Sequence, residues 1–115
     1  MSARNSLNAM PMLIIDTAIL NDVTFTKVTT GDGFPHPAVF MHIWNHGSSD
    51  IEISYDGITP HDVVPEQGQI FFPMQTSATP PNYVSALPKG TDIYLRVTNF
   101  PGVGNFYLAA YYQQQ

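Results

Sequence analysis

The chain has 115 residues, no cysteine, and nine acidic side chains against four basic ones, for a formal net charge of −5. That length is about one domain, able to bury on the order of two thirds of its unfolded surface in a single core. Without cysteine there is neither a disulfide framework nor a thiolate zinc site, and the redox compartment stays open. The four cations, Arg4, Lys27, Lys89 and Arg96, cannot neutralise many phosphates, which argues against a nucleic-acid partner. Val, Ile, Thr, Tyr and Phe are plentiful, ten prolines and eight glycines punctuate the chain, and strong helix formers are sparse, so the composition is that of a β protein. Charged residues are only 11% of the total, low for a free soluble monomer. Either uncharged polar groups do the solvating or neighbours cover part of the surface. The apolar patch Met10 to Leu20 is too short to span a bilayer and contains Pro11 and Asp16, and Arg4 alone is a poor positive leader region. No membrane partner is expected.

In chain order, residues 1–11 are expected to form a flexible arm, followed by one domain over residues 12–115. Met12 to Leu20 fits a first strand, with a short helix as the alternative. Val23 to Val28 alternates, which predicts a strand with Val23 and Phe25 opposite Thr24 and Thr26. Thr30 to Pro37 is a loop by its glycines and prolines. Ala38 to Trp44 is apolar on both parities except at His42, the mark of a strand covered on both sides or placed at an interface.

The stretch Trp44 to Pro65 sets the sheet register. A strand ends at Trp44, breaks at Asn45 to Ser49, and restarts at Ile51 to Tyr55. There Ile51, Ile53 and Tyr55 face one way and Glu52, Ser54 and Asp56 the other, before Asp56-Gly57 turns the chain. Ile58 to Pro65 is a short strand bracketed by prolines, and Gln69 to Phe72 is another. Met74 to Ser85, rich in Thr, Ser, Pro and Asn, is a long surface loop of the functional or partner-ordered kind. Thr91 to Thr98 and Asn105 to Tyr112 are expected to pair as a hairpin around Asn99 to Gly104. Phe106, Leu108, Ala110 and Tyr112 share one face of the return strand, while Tyr107 and Tyr111 sit on the other. About eight short strands between turn signals predict an all-β antiparallel β-sandwich. A jelly-roll-like order is favoured because the Cys, Trp, Cys pattern of immunoglobulin domains is absent.

Few residues point to chemistry. His42 and His46 share a parity but are about 13 Å apart along a strand, too far to bind one metal. His61-Asp62 places an imidazole next to a carboxylate, yet strand neighbours point to opposite faces and no nucleophile accompanies them. Asp32-Gly33 and Asp56-Gly57 resemble fragments of calcium loops but lack their acidic spacing. Gly102-Val103-Gly104 opens a strand and no helix, so it is no phosphate cradle. His36 is a loop histidine. No catalytic residue, cofactor or metal is expected. The aromatics Trp44, Tyr55, Tyr83, Tyr107 and Tyr111 could stack on sugar rings, although aromatics on a sandwich are more often core or subunit interface.

Four segments carry a resemblance: Ile53-Ser54-Tyr55-Asp56-Gly57, then His61-Asp62 with Val64-Pro65, then Leu87 to Leu95, and Pro101 to Tyr112. Together, as "ISxDG, HD, oP", "KGTxIYo" and "GxGNoYoxxYY" with o apolar, they resemble a small structural protein of tailed-bacteriophage virions. The likeness covers about the C-terminal two thirds and rests on turn-and-strand signatures. It implies a non-enzymatic head decoration or cement protein located in the virion and assembled in the host cytoplasm. Its implied partners are the major capsid protein and copies of itself, as a trimer. A neck or tail subunit, or a carbohydrate-binding or host-adhesion module, is the alternative. The residues expected at an interface are Arg4, Leu7, Phe40, Trp44, Tyr83, Tyr107 and Tyr111.

Overall fold

A computed structural model describes residues 7–73 and 87–113. The long loop and the first six residues of the arm lie outside that range, as do Arg4 and Tyr83. Within it the chain is all-β, with nine strands: β1 (Leu7–Ala9), β2 (Leu13–Asp16), β3 (Thr26–Lys27), β4 (Phe40–Asn45), β5 (Ile51–Ser54), β6 (Asp62–Val64), β7 (Gln69–Pro73), β8 (Tyr94–Val97) and β9 (Asn105–Gln113). Two antiparallel sheets result. The larger has the order β1-β9-β4-β7, with β2 also paired to β9, and the smaller has the order β3-β8-β5-β6. Two sheets packed as a sandwich bury one face each and leave the other outside.

Alternation decides which residues meet in the middle. On β4, Met41, Ile43 and Asn45 are buried while Phe40, His42 and Trp44 are half-buried on the opposite face. On β9, Phe106, Leu108 and Ala110 point inward, as their parity predicts. The smaller sheet contributes Ile51 and Ile53 from β5, Val64 from β6, and Leu95 and Val97 from β8, all fully buried. Each such side chain contributes about 1.5–3 kcal/mol of burial, enough to fix the register, since a one-residue slip would turn every one of them to water.

Four sequence expectations are corrected. Thr91 to Thr98 and Asn105 to Tyr112 form no hairpin, because β8 belongs to the smaller sheet and β9 to the larger. β9 keeps the inward parity read from sequence for Phe106, Leu108 and Ala110, which serves equally well for a strand facing β8 across a core. The connection is fastened by contacts with other loops: Ser48 N–H donates to Val103 O (2.9 Å), and both the N–H (3.0 Å) and the hydroxyl (2.8 Å) of Thr17 donate to Gly104 O. Only glycine fits there. A Cβ on Gly104, at φ 102°, would lie 2.5 Å from His46 O, and one on Gly102 would lie 2.8 Å from Thr17 O.

The alternating run Val23 to Val28 is a strand only at Thr26–Lys27. Asn21 Oδ1 accepts from the N–H groups of Val23 (2.9 Å) and Thr24 (2.7 Å), forming a turn that leaves Val23 74% exposed. Residues 7–9, expected within the arm, are a strand paired with β9, and Met10 behind them is buried. Met12 to Leu20 is both of its alternatives in succession, β2 and then a 3₁₀ turn over Thr17–Ile19 capped by Asp16, whose side chain accepts from Ala18 N–H.

The fourth correction concerns the break after Trp44. Asn45 is not a loop residue but the fully buried end of β4. Its Nδ2 donates to Ser49 O (2.8 Å) and to Val64 O on β6 (3.0 Å), while Oδ1 accepts from Gly47 N–H (2.8 Å). A single amide therefore ties one sheet to the other and satisfies itself in the process.

Candidate interaction surface

Two polar groupings weighed from sequence, Asp56-Gly57 and His61-Asp62, resolve into turn chemistry. Asp56 Oδ1 accepts from Ile58 N–H, Thr59 N–H and the Ser54 hydroxyl, at 2.8, 2.8 and 2.9 Å. The Thr59 and Ile58 amides and the Ser54 hydroxyl together hold its carboxyl well below the usual carboxylate range. Ser54 is itself buried, so its parity serves the turn and not solvent. His61 and Asp62 both engage Tyr55: His61 Nδ1 accepts the Tyr55 N–H (3.1 Å), and the Tyr55 hydroxyl donates to Asp62 Oδ2 (3.0 Å). Burial first, and then the Asp62 charge and hydrogen bond, raise the phenol above its ordinary value. Among the described residues no group of three or more His, Asp or Glu side chains is placed to hold a metal ion.

The outward face of the larger sheet is different in kind. Register sets Phe40 opposite Tyr111, His42 opposite Ala109 and Trp44 opposite Tyr107 across β4 and β9. On the other side of β4, Phe71 of β7 lies opposite His42 and Gln69 opposite Trp44. Ile14 of β2 lies opposite Tyr107. Strand pleating then brings these side chains onto one surface. Phe40 lies 5.7 Å from Tyr111 and 6.1 Å from Phe71 between ring centroids. His42 stacks on Phe71 at 4.0 Å and leans on Trp44 at 3.7 Å, and Trp44 meets Tyr107 edge-on at 6.2 Å.

Of the interface residues expected from sequence, this face gathers Phe40, Trp44, Tyr107 and Tyr111. Leu7 is in β1 opposite Gln113, at the end of the same sheet. Tyr55 belongs to the smaller sheet's turn and takes no part. Sequence reasoning missed Ile14, His42, Gln69 and Phe71. Apolar residues on both parities from Ile70 to Phe72 hinted at a second covered side, but only the pairing with β4 shows which ring meets which.

Two pairs of polar groups within this surface bond to each other. His42 Nε2 and Gln69 Oε1 are 2.9 Å apart, and Asn105 Nδ2 donates to the Tyr107 hydroxyl at 3.4 Å. At its rim a shallow cleft of about 270 Å³ is lined by Met12, Trp44, His46 and Tyr107, with the His46 ring edge-on to Tyr107 at 5.6 Å. A second cavity, about 260 Å³, opens between the β1–β2 connection and the loop at 29–35. Its lining is mainly apolar, from Met10, Leu13, Phe34 and Leu108. The hydroxyl of Thr29 beside it already donates to Asp92 Oδ1 at 2.8 Å. His36 is apart from both, stacked on Tyr112 at 3.7 Å.

These features define a class, an all-β antiparallel two-sheet domain with one aromatic outer face. Compared with known protein families, curated protein sequences and solved structures, the chain matches none.

Proposed function

We propose that this chain is a non-enzymatic structural protein of a bacteriophage virion, a head decoration or cement subunit that works by adhesion to the major capsid protein and to copies of itself. The observation that carries the adhesive part is the aromatic outward face around Trp44, His42, Phe71 and Tyr107, since exposed apolar patches of this extent mark interaction surfaces. The phage part rests on the four motif segments of the C-terminal two thirds. The strand order supports it by analogy: β2-β9-β4-β7 facing β3-β8-β5-β6 is the arrangement we read as a jelly roll, an architecture used by viral capsid and lectin domains alike. A cement subunit stabilises a shell by mass action, because anything that binds only the assembled form shifts the equilibrium toward it.

The test is co-sedimentation of the purified chain with shells assembled from a tailed-phage major capsid protein. Retention at a fixed ratio to the shell subunits is expected. A chain left in the supernatant overturns the proposal.

The cleft at Met12, Trp44, His46 and Tyr107 favours a second reading, a glycan-binding module, because an aromatic pair beside an imidazole suits a sugar's apolar face and hydroxyls. Binding on a glycan array that Tyr107→Ala abolishes would establish it, and silence across a broad array would remove it.

A further inference from the structure

We propose that the occupant of the aromatic face is a second copy of this chain, packed sheet against sheet about a two-fold axis, in place of the trimer that the resemblance implies. The inference rests on the reading of that face as adhesive and names its partner.

Three observations select a copy of the same chain. The first is charge. Two molecules of net charge −5 repel, and they can approach closely only through a neutral surface. The outward strand positions offer one. Their single carboxylate is Asp16, at the rim and engaged with Ala18 N–H, whereas the smaller sheet presents Lys27, Glu52 and Arg96 outward. The second is polar satisfaction. His42 with Gln69, and Tyr107 with Asn105, are bonded within the face, so those two pairs keep their hydrogen bonds when a dry aromatic surface covers it. The third is size. With nine residues in β9, six in β4 and five in β7 over four strand positions, the face spans roughly 470 Å² in projection. Covered from both sides it removes on the order of 1,000 Å² from water, about what a specific interface needs. A two-fold contact uses each residue twice, so Phe71, 54% exposed, and Ile14, 57% exposed, mark opposite edges of a self-complementary patch.

The experiment is sedimentation equilibrium of the full chain, read together with the emission of Trp44, the protein's one tryptophan. The wild type should be a dimer, with emission shifting to the red on dilution as Trp44 returns to water. Phe71→Arg and Ile14→Lys should each weaken dimerisation at least ten-fold while leaving the thermal unfolding of the monomer unchanged. Val63→Lys, 50% exposed on the other sheet, should leave the dimer intact. A wild type that stays monomeric to about 100 μM overturns the pairing. So does a dimer indifferent to both variants, or a trimer. Shell co-sedimentation separates this inference from the function on which it rests. A monomer that binds shells defeats the pairing alone, and a dimer that ignores shells supports the pairing while defeating the virion assignment.

Discussion

The two sheets share a core but not an exterior. Outside the smaller sheet, Arg96 pairs with Glu52 at 2.8 Å and lies 4.3 Å over the Phe25 ring, and Lys27 reaches Asp92 at 3.6 Å. Outside the larger sheet, rings replace charges. A strand's outward positions are free of the core's demand for apolar atoms, so what stands there reflects what the strand meets outside. Charges meet water, whereas Phe40, His42, Trp44, Phe71 and Tyr107 are suited to a covered surface. The larger sheet's aromatic exterior thus stands apart from the smaller sheet's, which has the paired charges of an ordinary solvated sheet.

That contrast can be broken or sharpened, and the largest effect sets the scale. Phe106 and Tyr107 are neighbours on β9 with opposite outlooks. Phe106→Ala should cost about 3–5 kcal/mol in urea unfolding by emptying the core, and Tyr107→Ala much less. Equal costs would mean that the outer aromatics hold the monomer together. Asn45→Ala should cost about 2–4 kcal/mol, because it strands the Ser49 and Val64 carbonyls and the Gly47 N–H away from water. Next comes the charged exterior. Glu52→Ala should cost no more than about 1 kcal/mol, less in high salt, since both partners are partly exposed. A salt-independent loss of several times that size would make the smaller sheet's exterior a structural element and dissolve the contrast.

The smallest effects are those of pH on the smaller sheet's turn. Asp56 is held below its unfolded value of about 3.9, so its contribution is present above that pH and fades as pH falls through and below it. Asp56→Asn should flatten the acid limb of the urea midpoint. The Tyr55 phenol is shifted the other way. Its contribution is intact below the unfolded value of about 10 and is lost as pH climbs above it, so Tyr55→Phe should flatten the alkaline limb.

Much of the fold was legible because strand parity is a local property. The inward set on β9 could be read from spacing alone, and Ala38 to Trp44 is apolar on both parities, one of which packs into the core. What failed were inferences about pairing. Thr91 to Thr98 looked like the partner of Asn105 to Tyr112 because adjacent alternating runs joined by a Pro-Gly turn usually pair. A chain crossing between two sheets shows the same alternation, since each strand then faces the other across the core. Val23 read as a strand residue because the capping reach of Asn21 is a side-chain hydrogen bond that alternation does not register.

The sequence by itself determined the class, all-β and antiparallel, and placed Phe40, Trp44, Tyr107 and Tyr111 among seven candidates for an interface. It could do so because apolar period and turn residues are written locally. Only the tertiary structure decided that these four share one surface with Ile14, His42 and Phe71, and that Tyr55, His61 and Asp62 form a separate polar knot. The physical reason is register: strands distant along the chain are placed side by side by the core they bury together, and the outer face is whatever that alignment leaves in view.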